Sequence, residues 1–109
     1  MYCRVLEGKA KPGGAAQAID ILVRQLGKLK KTGGLASVQI MQSGDEVLAI
    51  SSWQTEKDLR AYAASQLARE MLDRLTAVLE QPASVRSFEI KLAVQMDEEF
   101  LSPDQGGEG

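Results

Sequence analysis

The spacing of apolar residues changes its period along this chain, and each change marks an element. Residues 2–10 read as a strand, closed by the breaker Lys11-Pro12-Gly13-Gly14. From Ala15 the period lengthens. Ala15, Ala18, Ile19, Leu22, Val23, Leu26 and Leu29 recur at steps of three and four, an apolar stripe along a helix. Lys28, Lys30 and Lys31 occupy its last turn, where cations suit the dipole, and Gly33-Gly34 stops it. Leu35–Gln42 and Glu46–Trp53 are β-type runs joined by the turn Ser43-Gly44-Asp45. In the second run Val47, Ala49, Ser51 and Trp53 share one face, and Leu48, Ile50 and Ser52 the other. Both faces are apolar or small, so this strand is expected to be covered on both sides.

Thr55-Glu56-Lys57-Asp58 is a variant capping box that opens a helical region with Leu59, Tyr62 and Ala63 on one face. Ser65 marks a break. Beyond it Leu67, Met71, Leu72, Leu75, Val78 and Leu79 recur helically, and Pro82 is read as the end. Val85–Gln95 alternates, with Arg86, Phe88, Ile90, Leu92 and Val94 on one side and Ser87, Glu89, Lys91 and Ala93 on the other. The order is β-α-β-β-α-β, an α+β, ferredoxin-like arrangement over residues 1–96, followed by an acidic tail at 97–109 expected to be flexible. Such a unit puts helices on one face of a four-stranded antiparallel sheet. Leu48, Ile50, Phe88, Ile90 and Leu92 make the other face apolar, and the expected cover is a second copy of the chain, giving a two-fold homodimer.

The chain has 109 residues, the size of one domain, with 44% hydrophobic and 26% charged residues. A net charge of −2 argues against nucleic acid as the partner. No apolar run reaches the length of a membrane span, and the start lacks a signal-type segment, so a cytoplasmic location away from membranes is expected. The count of histidines is zero and that of cysteines is one. This excludes His-ligated haem, Ser-His-Asp and Cys-His catalysis, and zinc or copper sites of the usual N/S type within one chain. No phosphate-loop pattern occurs. Cys3, Met41, Met71 and Met96 read as core residues, and Arg24 with the nearby lysines as a solvated helix end. Arg4, Glu7, Arg86 and Glu89 are expected to form cross-strand ion pairs, with Arg86 alternatively holding an anionic group of a substrate.

The segment Val47-Leu48-Ala49-Ile50-Ser51-Ser52-Trp53, continuing through Thr55, Leu59 and Tyr62 to Ser65, resembles the antibiotic biosynthesis monooxygenase domain of the dimeric α/β barrel superfamily. Trp53 and Ser65 match the family's places, while its usual His is replaced by Tyr62. The resemblance implies a cavity between sheet and helices for a small aromatic or quinol-like ligand, oxygenated with O2 and without metal or flavin. No cofactor is therefore expected. Haem-degrading relatives depend on a histidine that this chain lacks. On this view Tyr62 hydrogen-bonds a substrate oxygen, Trp53 is a stacking wall with a free indole N–H, and Ala49 and Ser51 leave room beside it. The bland alternatives are Trp53 as a core plug and Tyr62 as a ring packed inward. The alternative function is a non-catalytic, ligand-binding or stress-related member; an isomerase or decarboxylating relative on the same scaffold stays open too.

Overall fold

The structure, a computed structural model, describes residues 1–95. The acidic tail expected from Asp97 lies outside them, as does Met96. The elements are β1 (Tyr2–Lys9), α1 (Ala15–Leu29), β2 (Leu35–Ser43), β3 (Glu46–Trp53), α2 (Glu56–Ala63), α3 (Gln66–Val78) and β4 (Ser84–Glu89). The strands form a four-stranded sheet in the order β2-β3-β1-β4, and every neighbouring pair is antiparallel. This is the ferredoxin-like α+β architecture expected from the element order.

Local chemistry sets the boundaries. Gly44, at φ +60°, turns the β2–β3 hairpin. Thr55 caps α2 by accepting from the Asp58 N–H, and Ser65 caps α3 by accepting from the Ala68 N–H. Ser65 is thus the break between two helices, as its position suggested. Gly34, at φ +87°, leads out of α1 into β2, and a side chain there would run into the Asp58 carboxylate.

The helices pack on one face of the sheet. Alternation along β1 turns Arg4 and Leu6 toward them, and β3 contributes Val47, Ser51 and Trp53, all buried. Leu6, Ala18, Leu22, Val47, Met71, Leu75 and Leu79 form the larger core cluster. Leu29, Trp53, Leu59, Tyr62 and Ala68 form a second one around the helix α2. On the other face Cys3, Val5, Leu48 and Ile50 are only half-buried, while Met41 and Phe88 are each 42% exposed.

Several expectations are corrected. The stripe of α1 runs through Ala15, Ala18, Leu22, Gln25 and Leu29, so Gln25 is buried and Val23 is exposed. The reason is the 3.6-residue period, which selects by angle and not by hydrophobicity. Helix α3 ends at Val78, before Pro82, because Leu79 turns extended and bridges Ala10. Strand β4 ends at Glu89 because its partner β1 begins at Tyr2; the last link is the Ile90 N–H donating to the Met1 carbonyl. Leu92 and Val94 are consequently exposed. Met41 lies on the uncovered face instead of in the core, and Cys3 is half-buried there. The four-residue ion-pair set does not form. Arg4 and Glu89 point to the helix side and Glu7 and Arg86 away from it, and Glu89 is engaged by Lys91 and the Tyr2 hydroxyl. Among the described residues, no helix is long and apolar enough to cross a membrane.

Two glycines are expected to respond oppositely to alanine. Gly34→Ala forces a left-handed φ on a side chain and lowers unfolding stability by about 1 kcal/mol or more. Gly27→Ala, inside α1 and facing open space, raises it by about 0.5–1 kcal/mol. Urea denaturation of the two variants checks both signs.

Candidate functional site

Strands β1, β2 and β3 form the floor of a cavity whose roof is the C-terminal half of α1, and Tyr62 of α2 and Met71 of α3 complete its lining. Its volume is about 40 Å³. Leu22 and Leu29 from the helix and Val38, Ile40 and Ala49 from the sheet give apolar walls. Four side chains in the lining carry polar groups: Arg4, Gln25, Ser51 and Tyr62.

These four are held by a short chain of contacts. The Gln25 amide donates from Nε2 to the Tyr62 hydroxyl at 3.2 Å and to the Leu67 carbonyl at 3.3 Å. Because the Tyr62 oxygen accepts this bond, its own O–H proton is left to donate elsewhere. The ring of Tyr62 stacks on Trp53 with centroids 5.1 Å apart and planes inclined by 22°. The Trp53 indole N–H donates to Ser51 Oγ at 3.0 Å. The Arg4 guanidinium carbon lies 5.4 Å from the Tyr62 ring centroid, a cation–π distance.

Arg4 is only 6% exposed. Burial pushes its guanidinium below its ordinary value, with the Tyr62 oxygen acting in the opposite direction. It stays charged at neutral pH nonetheless, because arginine is not deprotonated in proteins. Among the described residues it is the one charged side chain in the lining, and no carboxylate pairs with it.

The residues expected from sequence divide accordingly. Tyr62, Ala49 and Ser51 line the cavity. Trp53 does not: it is fully buried, and its N–H is taken by Ser51 rather than free. Its part is to fix the Tyr62 ring and the Ser51 hydroxyl. Arg86 stands on the opposite face of the sheet, 4.8 Å from the Phe88 ring centroid, and cannot reach the cavity. Gln25 and Arg4 were missed. The signal for Gln25 was the angular progression Ala15, Ala18, Leu22, Leu29, which has a gap at this position. The signal for Arg4 was its parity with Leu6 on β1.

Size restricts what the cavity does. A void of roughly 150 Å³ takes up a benzene ring, several times the space present here. An aromatic ligand therefore enters only if the walls withdraw, and Met71, unbranched and adaptable, is the wall residue best suited to do so.

No protein-family model matches the chain, and no curated protein does. Solved structures share its fold. A putative antibiotic biosynthesis monooxygenase from Deinococcus radiodurans is 14% identical with a TM-score of 0.77, over 89% of this chain and 99% of that one. A monooxygenase from the gene ActVA-Orf6 of Streptomyces coelicolor, in complex with the ligand nanaomycin D, is 16% identical with a TM-score of 0.75, over 88% of this chain and 92% of that one. The protein NE2512 of unknown function from Nitrosomonas europaea is 18% identical with a TM-score of 0.75, over 88% and 94% of the two chains. At these identities the likeness establishes the fold, which is that of structures described as antibiotic biosynthesis monooxygenases. The resemblance read in residues 47–65 is borne out at that level.

The Gln25–Tyr62 pair is open to a thermodynamic cycle. Gln25→Leu strips the Tyr62 hydroxyl and the Leu67 carbonyl of their donor and costs about 1–3 kcal/mol. Tyr62→Phe in the same chain recovers part of that loss, so the double variant is more stable than the sum of the single changes implies. Equilibrium denaturation of the four proteins measures the coupling; strict additivity contradicts the bond.

Proposed function

We propose that this chain is a monooxygenase of the antibiotic biosynthesis type, acting without a cofactor on an electron-rich aromatic or quinol-like compound held in the sheet–helix cavity. The observation that carries the reading is the placing of Tyr62: a hydroxyl with its oxygen engaged by Gln25 and its proton without an acceptor among the described residues, in the lining of the cavity. The fold shared with structures described as monooxygenases supports it.

The reaction balances without a further reductant. A phenol and O2 give a quinone and water: one oxygen atom enters the ring, the other leaves as water, and the ring supplies four electrons. The chain's part is to exclude water, hold the ring and donate the Tyr62 proton in a hydrogen bond to the ring oxygen as charge develops there. Oxygen uptake with dihydroxynaphthalenes is expected to exceed the spontaneous rate and to fall about tenfold or more in Tyr62→Phe. A wild-type rate no higher than background across such a panel removes the enzymatic reading.

A second reading is favoured by the cavity's small size and by the lack of Asp, Glu or Lys in its lining among the described residues. On it the chain is a non-catalytic ligand-binding member of the same fold. Binding of aromatic compounds without oxygen uptake distinguishes the two.

We also propose that a second copy covers the open face of the sheet. Val5, Leu48, Ile50, Met41 and Phe88 form one apolar surface there, and residues 90–95 prolong the alternation of β4 past the last partner that β1 offers. A two-fold pairing covers both copies of the patch at once. Sedimentation at micromolar concentration is expected to give the mass of two chains, and Phe88→Glu that of one. A single-chain mass for the wild type rules the pairing out.

A further inference from the structure

The cavity contains a charge that meets the face of the Tyr62 ring but no carboxylate among the described residues. Arg4 sits on the helix-facing side of β1, between Tyr2 and Leu6, with Ser51 on β3 and Ser87 on β4 as its neighbours in register. Both are neutral. The groups that meet it across the cavity, Gln25 and Tyr62, are neutral as well. A leucine or methionine at this position would line the same wall without the cost of burying a guanidinium that has no carboxylate partner among the described residues.

We propose that Arg4 selects the cavity's ligand, and that this ligand is an aromatic compound bearing an anionic oxygen on its ring, a carboxylate or a phenolate. The inference rests on the reading that the cavity receives an aromatic ring, and it adds the charge of that ring's substituent. The planar guanidinium presents donors in a fixed fork that matches such an oxygen. Beside it the Tyr62 hydroxyl has a proton to give, since its oxygen already accepts from Gln25. An oxygen seated there receives charge-assisted bonds in a site with little water, where they are stronger than at the surface.

This arrangement also answers a question of proton traffic. Among the described residues the lining contains no carboxylate or amine to act as a base. A ring hydroxyl therefore loses its proton to solvent on binding, and Arg4 holds the ionised form by lowering the hydroxyl's pKa. Arg4 is in this sense a binding residue that sets the ligand's charge state.

The test uses the full chain and the fluorescence of Trp53, its sole tryptophan, which stacks on Tyr62. Benzoate, 4-nitrophenolate above its pKa, and neutral benzamide are titrated into wild type, Arg4→Lys and Arg4→Met, each checked for folding by circular dichroism. Wild type is expected to prefer at least one anion over benzamide by about tenfold or more, the worth of a charged hydrogen bond. The anion with the larger preference identifies the oxygen. Arg4→Lys keeps part of that preference. Arg4→Met loses that preference, and it unfolds at a higher temperature than wild type in the absence of any probe. Equal binding of anions and benzamide by wild type, binding of no probe, or an anion preference that survives in Arg4→Met each overturns the proposal. If Arg4→Met does not fold, the wild-type and Arg4→Lys titrations decide it. Oxygen uptake is measured separately: anion preference without uptake leaves Arg4 as assigned and removes only the enzymatic reading.

Discussion

The pleat of β1 is the constraint from which the rest of the molecule follows. This strand is hydrogen-bonded on both sides, to β3 and to β4, so its register is fixed twice. Alternation then leaves no choice about direction. Leu6 goes to the helices with Arg4, and Cys3, Val5 and Glu7 go to the opposite face. A slip of one residue would exchange these sets and put Glu7 into the core. The apolar demand of Leu6 and Val47 on the helix side thereby determines where the charge of Arg4 is carried.

The same geometry explains why the cavity has the members it has. Helix α1 crosses the sheet with a stripe of buried residues, and the angular period of that stripe brings Gln25 under it regardless of polarity. Buried there, the amide needs partners, and it finds the Tyr62 hydroxyl and the Leu67 carbonyl. Trp53, packed beneath, fixes Tyr62 by stacking and Ser51 by a hydrogen bond. The polar groups of the lining are thus oriented partly by one another, through the Gln25–Tyr62 bond, and partly by Trp53 and Leu67, which do not line it.

The two faces of the sheet have different fates. One is sealed by helices. The other is apolar without being covered within the described chain, and the exposure of Phe88, Leu92 and Val94 has the same origin. Strand β4 ends where β1 begins, so past the Ile90–Met1 link residues 91–95 continue the alternation of a strand with no backbone partner among the described residues.

How much of this was legible in the sequence depended on whether the signal was local. Period, caps and breakers are properties of neighbouring residues. They gave the element order, the hairpin at Gly44, the caps at Thr55 and Ser65, and hence the fold; the segment around Trp53 pointed to structures that share this fold for the same reason. The places of Tyr62, Ala49 and Ser51 in the cavity followed from their faces. Pairing between distant strands is not a local property. Alternation already separates Arg4 from Glu7 and Arg86 from Glu89, but only the register between the strands decides that Arg4 shares its face with Glu89 and Glu7 shares its face with Arg86. The use of Trp53's N–H, the remoteness of Arg86, and the enclosure beside Tyr62 of a guanidinium with no carboxylate partner among the described residues were decided when three elements far apart in sequence closed around one small space, because burial and charge pairing depend on which groups end up facing each other.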